Sequence, residues 1–105
     1  MFEIVPDRND WAATRITEIT DATGSLPAMD AKGWAYDAAR RNIGGGVRDG
    51  TFYAFDPATH GWTSRRLSGS AGNVAFFTLA YAAPEGVFVF VTDYDSGHST
   101  WVYRP

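Results

Sequence analysis

The feature that most limits what this chain can become is an internal repeat of about fifty residues. Pro6 and Trp11 are five positions apart, as are Pro57 and Trp62, and the stretch 4–12 lies over 55–63 without a gap at an offset of 51. The chain closes on the same phrase, because 100–105 (TWVYRP) matches 52–57 (FYAFDP) at an offset of 48. A second family of matches lies between them, 33–38 (GWAYDA) over 78–83 (TLAYAA) at an offset of 45. One unit is therefore present in full, flanked by parts of two others.

Composition says what the unit is made of. Val, Ile, Thr, Phe, Tyr and Trp contribute 37 of the 105 residues, whereas Leu, Glu, Lys, Met and Gln contribute only nine. Eleven Gly and five Pro punctuate them. β-Branched and aromatic side chains suit a pleated surface, so the expectation is an all-β chain of short strands and turns. Four strand candidates follow one another within the unit. The first covers 33–37 and again 74–82, the second 43–47 and 87–92, and the third 51–55 and 100–103, with 1–5 its N-terminal counterpart. The fourth covers 62–67 and, by the Trp match, 11–19. Asp56-Pro57 favours turn initiation, and Gly61 is expected to take a positive φ before the fourth strand. Labelled a to d, the strands read c-d in 1–19, a-b-c-d in 33–67 and a-b-c in 74–105, one partial domain of antiparallel sheets.

Charge and length exclude several functions. A net charge of −3 leaves no basic surface to neutralise a run of phosphates, so no nucleic-acid partner is expected. The longest apolar run, 87–91, is far short of the ~20 residues of a spanning helix, and the N-terminus lacks the order of a signal peptide, so no membrane partner is expected. The absence of Cys removes disulfides, thiolate metal sites and Cys nucleophiles together. His60 and His98 fall in turns at opposite ends of the strands and are not expected to share a metal. Asp93-x-Asp95-x-Gly97 opens like a calcium loop, but Arg104 stands where the closing carboxylate would be needed.

Gly44-Gly45-Gly46, then Tyr53 and Phe55, then Asp56-Pro57-Ala58-Thr59 and Trp62 resemble the kelch repeat, with its Gly pair, third-strand aromatic and Trp after a turn. Pro6, Trp11 and Tyr103 continue the pattern on either side. The resemblance implies four-stranded blades of a β-propeller, here about two blades' worth, with Gly44, Gly45, Tyr53, Phe55, Pro57, Trp62, Pro6, Trp11 and Tyr103 as structural repeat positions. It departs at Val91-Thr92-Asp93, which stands in place of the Gly pair. The stretch 93–101 also looks like the Asp-box turn of sialidase-type propellers, with one residue too many.

The resemblance implies a binding module that recognises a protein or a carbohydrate, with no cofactor. The expected recognition face carries the fourth-to-first and second-to-third strand loops, with Asp21, Ser25, Asp30, Arg48, Asp49, Asp93, Tyr94, Asp95 and His98. Galactose oxidase is built on kelch-type blades, but its Tyr–Cys copper centre has no counterpart here, and no catalytic residue is assigned. Part of a propeller enzyme, such as a sugar oxidase or sialidase-like hydrolase, and a self-assembling lectin-like ring stand as alternatives. Repeat units bury their faces only against neighbours. Further blades are therefore expected, from a longer chain or from other copies.

Overall fold

Short polar side chains decide where the strands of this chain turn back. In the computed structural model, which describes residues 1–25, 33–48, 50–68, 77–94 and 97–105, nine strands form three antiparallel sheets. The first sheet is β1 (Phe2–Val5) and β2 (Arg15–Glu18). The second is β3 (Trp34–Asp37), β4 (Asn42–Arg48), β5 (Thr51–Asp56) and β6 (Gly61–Arg66). The third is β7 (Phe77–Ala82), β8 (Val87–Tyr94) and β9 (Gly97–Tyr103). The chain is all-β, each sheet is ordered as a meander, and none closes on itself among the described residues.

Three of the hairpins share one construction, with the fifth residue of the turn left-handed: Arg41 (φ 55°), His60 (φ 54°) and Gly86 (φ 63°). In two of them the strand ends on an Asp whose carboxylate accepts backbone N–H groups. Asp37 Oδ1 accepts from Ala39 and Arg40, both at 3.0 Å, and Asp56 Oδ1 accepts from Ala58 at 2.8 Å. These carboxylates fix the corner. The positive φ expected at Gly61 therefore sits one residue earlier, on His60.

The glycine run is a bulge inside β4, not a turn after it. The register shifts between Gly45 and Arg48. Gly45 has φ 146°, and a Cβ there would lie 2.0 Å from the Gly33 carbonyl oxygen, so only glycine fits the crowded crossing of β3 and β4.

The fourth-strand expectation for 11–19 is corrected. Residues Trp11–Ala13 form a 3-10 turn and the strand starts only at Arg15. Asp7 Oδ1 accepts from the Asn9 and Asp10 amides, and Asp10 Oδ1 caps the turn by accepting from Ala12 at 3.0 Å. That acidic run lengthens the connection, so Ile16 opposite Ile4 takes the place that Trp62 opposite Phe55 has in the second sheet. Trp11 is 73% exposed, whereas Trp62 packs on Phe55 at 4.8 Å and edge-on to Trp34 at 5.7 Å between ring centroids. The gapless Trp match is thus a coincidence of spacing.

The second and third sheets pack face to face. A row of small residues, Ala35, Gly44 and Ala54, lies across the second sheet, and a row of rings, Tyr81, Phe88 and Tyr103, lies across the third. Phe52 projects between them, 4.9 Å from the Phe88 centroid and 4.6 Å from that of Tyr103. Val47, Phe52 and Phe88 form the buried cluster, with Ala35, Ala54, Leu79, Tyr81 and Tyr103 against it. Large on small lets the two faces interdigitate. The first sheet lacks such packing among the described residues: Phe2, Ile4 and Ile16 are 62, 60 and 66% exposed. The molecule is correspondingly elongated, 48 × 28 × 26 Å, with a radius of gyration of 15.3 Å, against about 13 Å for a compact domain this long.

Candidate functional site

Two cavities open along the seam between β6 and β9. The larger, of about 300 Å³, starts where the chain leaves β6 at Arg66, Leu67 and Ser68 and reaches across to Phe90, Trp101 and Tyr103. Alternation along β9 places Trp101 and Tyr103 on the face turned to the second sheet, opposite Phe90 and Phe88. The indole N–H of Trp101 is buried without an acceptor. Aromatic faces, a guanidinium and a hydroxyl together suit a ligand with apolar faces and oxygen acceptors.

The second cavity, of about 280 Å³, lies nearer the first-to-second strand turn and is lined by Arg40, Asn42, Thr63, Arg65 and Tyr103. Beside it is a polar clamp. Asp37 is fully buried; its Oδ2 takes a 2.9 Å ion pair from Arg40 Nη1, while Arg40 Nη2 donates to the Pro105 carbonyl at 2.8 Å. Burial pushes the Asp37 carboxyl upward. The neighbouring Tyr81 hydroxyl and the amide and guanidinium of Arg40 outweigh it and hold the group below the ordinary carboxylate value. The Tyr81 hydroxyl is itself buried outside hydrogen-bonding geometry, and the adjacent carboxylate, with desolvation, raises its pKa.

Of the sequence-predicted binding residues with described side chains, Asp21 and Arg48 stand at opposite ends of the second sheet. Asp30, Asp49 and Asp95 lie outside the described residues, as do the side chains of Asp93, Tyr94 and His98. Their backbone places Asp93 opposite His98 and Tyr94 opposite Gly97 at the end of the β8–β9 hairpin where the two strands connect. Arg48 is exposed at the end of β4, opposite Thr51, and Ser25 is exposed.

Asp21 is displaced from the expected face. It meets His60 across 2.6 Å between Oδ1 and Nδ1, at the opposite end of the second sheet. The cause is the backbone. Thr23 donates to the His60 carbonyl at 3.0 Å and accepts from the Trp62 amide at 2.8 Å, so 21–24 lie along the edge of β6 as a short parallel bridge. The hydrogen bond to His60 holds the Asp21 carboxyl below its usual value. The His60 ring also stacks on Phe55, 6.2 Å between centroids, and the Asp21–His60 pair fastens this segment to the sheet. Among the described residues no three His, Asp or Glu side chains converge as a metal site.

Of the repeat positions, Gly44, Gly45, Tyr53, Phe55 and Trp62 all lie in the second sheet and Tyr103 in the seam. Pro6 and Pro57 occupy the corresponding turns after β1 and β5. In the sequence Trp101, with Trp11, Trp34 and Trp62, reads as packing between repeats in preference to a sugar-stacking platform, and 68–73 falls on the expected recognition face; no pattern there brings Arg66 and Ser68 together with Trp101. Comparison with protein families, with curated proteins and with solved structures finds no match for this chain.

Proposed function

We propose that the chain is a wedge of a kelch-like β-propeller acting as a binding module for a carbohydrate or protein partner. The partner is taken beside the fourth-to-first strand connection, in the cavity bounded by Arg66, Ser68 and Trp101. The observation that carries the reading is a cavity of about 300 Å³ walled by the Phe90, Trp101 and Tyr103 rings with the Arg66 and Ser68 side chains beside them. The sheet order and the a-to-d repeat support the propeller wedge. The displacement of the first sheet and of Asp21 moves the proposed site from the loop tips into the seam.

The test is a two-dimensional NMR screen of the 105-residue protein against neutral and acidic oligosaccharides and against extended peptides, reading the Trp101 indole resonance. A binder should shift that resonance, and Trp101→Phe, which shortens the aromatic wall of the cavity, should weaken it about fivefold to tenfold through lost apolar contact. A binder that ignores both Trp101→Phe and Ser68→Ala, or a screen in which nothing binds, refutes the reading.

A further inference from the structure

The repeat makes the exposed faces of the two end sheets comparable with faces that are covered inside the molecule. Across the second sheet, Ala35, Gly44 and Ala54 form the small row that receives Tyr81, Phe88 and Tyr103. The third sheet carries the equivalent small row, Ala80, Val89 and Val102, on its far side. There Val102 is 66% and Val91 41% exposed. On the first sheet, Ile4 and Ile16 stand where Phe55 and Trp62 stand in the second, with Phe2 beside them. Phe55 is 1% exposed and Ile4 60%. One end thus shows a small-residue face without its large-residue partner, and the other a large-residue face without its small-residue partner.

We infer that these two faces bind each other between copies of the chain, the Phe2–Ile4–Ile16 face of one molecule seating on the Ala80–Val89–Val102 face of the next. A second copy is the occupant because the complementary surface is present on the same molecule. The same pairing, large row on small row, already holds the second and third sheets together. Pairing like faces would instead set large on large or small on small and lose the interdigitation of the Ala35–Gly44–Ala54 row with the Tyr81–Phe88–Tyr103 row. The interface is heterologous, so a dimer retains one open face of each kind and association proceeds beyond it, to a ring if the rotation closes and a filament if it does not. The inference rests on the repeat and not on ligand binding in the seam.

The test is light-scattering mass against concentration for the wild-type chain, Ile4→Asp and Val102→Asp, with Ile16→Asp as a second variant of the first face. All three positions are exposed, so the folded monomer accommodates the charge, which circular dichroism checks. Wild type should grow with concentration into species larger than a dimer. Each variant alone should stay at the 11.5 kDa monomer. An equimolar mixture of Ile4→Asp and Val102→Asp should stop at twice that mass, because one intact face remains on each partner and the other two repel. A monomeric wild type, a variant that assembles as wild type does, or a mixture that stays monomeric overturns the inference; assembly lost in Ile4→Asp but kept in Val102→Asp reveals a symmetric interface and overturns it as well.

Discussion

Gly44→Ala tests the seam between the second and third sheets with a single methyl group. The glycine lies in extended backbone where any residue fits, so its cost is purely one of space. A Cβ there would stand 2.6 Å from Phe88 Cζ and 2.7 Å from Phe52 Cζ, and ordinary contact requires both rings to retreat by roughly 0.8 Å or more. Both rings are held, Phe88 0% and Phe52 4% exposed and packed on each other, and any retreat gives up that contact even though both border the 280 Å³ cavity. Overpacking of this kind costs about 1–3 kcal/mol, and alanine returns about 0.5 kcal/mol by restricting the unfolded chain. The expected net loss is about 2 kcal/mol.

Urea unfolding followed by tryptophan fluorescence, in the non-associating Val102→Asp background, should show a midpoint lowered by about 1 M at an unchanged slope of about 2 kcal/mol/M. Phe88→Leu, which withdraws the blocking ring atom, should recover part of the loss in the double variant although it destabilises alone. That positive coupling is the signature of a shared space. Gly86→Ala is the control: its Cβ would meet only the Tyr81 hydroxyl at 3.9 Å, so it pays only for the left-handed φ, about 1 kcal/mol. A midpoint for Gly44→Ala within 0.2 M of its parent, or additivity with Phe88→Leu, would refute the packing argument.

Two further outcomes follow from the fold. Asp37 has its pKa depressed in the folded state, so the clamp contributes fully above the unfolded carboxylate value near 3.9 and is lost as pH falls through the lower folded value. Asp37→Asn should therefore flatten the stability profile below about pH 4 and cost about 2 kcal/mol at pH 7, the low end for a charged hydrogen-bond cluster because Arg40 is partly solvated; an unchanged acid limb in urea unfolding across pH 2–7 would sink this. The two tryptophans separate the sheet from its apparent repeat: Trp62→Ala should cost about 3 kcal/mol and Trp11→Ala less than about 0.5, and equal losses by thermal unfolding would restore the gapless match.

The strand order was readable because each strand is short, β-branched and bracketed by turn residues whose chemistry is local. Asp56-Pro57 and the 83–86 connection show it directly. What went astray depended on competition the residues do not display individually. Asp7 and Asp10 look like turn filler, yet their carboxylates, accepting from the Asn9, Asp10 and Ala12 amides, hold a 3-10 turn that shifts β2 by several residues and strands Trp11 in solvent. Asp21 looked like part of a long loop on the recognition face. Backbone hydrogen bonds from Thr23 to the edge of β6 draw it to the other end instead. The Trp101 cavity depends on how two sheets tilt past each other, a tertiary fact with no periodicity to announce it. Asp37 was nearer to hand, since an Asp ending a strand three residues before an Arg is the pattern of a capped corner.

The same contrast explains why the molecule is cohesive at one seam and open at its ends. Between the second and third sheets, glycine and alanine on one face leave the depth that Phe88 and Tyr103 fill, and the Arg40 bridge from Asp37 to Pro105 locks the outer margin of that seam. Among the described residues the first sheet has no such margin, and the segment that follows it is tied to the second sheet by the edge pairing of Thr23 and the Asp21–His60 hydrogen bond, both at the periphery. A hairpin of two four-residue strands is not stable by itself in water, so its apolar face gains most from a partner. Val89 and Val102 replace Gly44 and Ala54 on the far side of the third sheet, making that surface shallower than the internal one. Branched Ile4 and Ile16 project less than Phe88 and Tyr103. The shallower surface therefore meets the shorter side chains, which keeps the two open faces matched in depth.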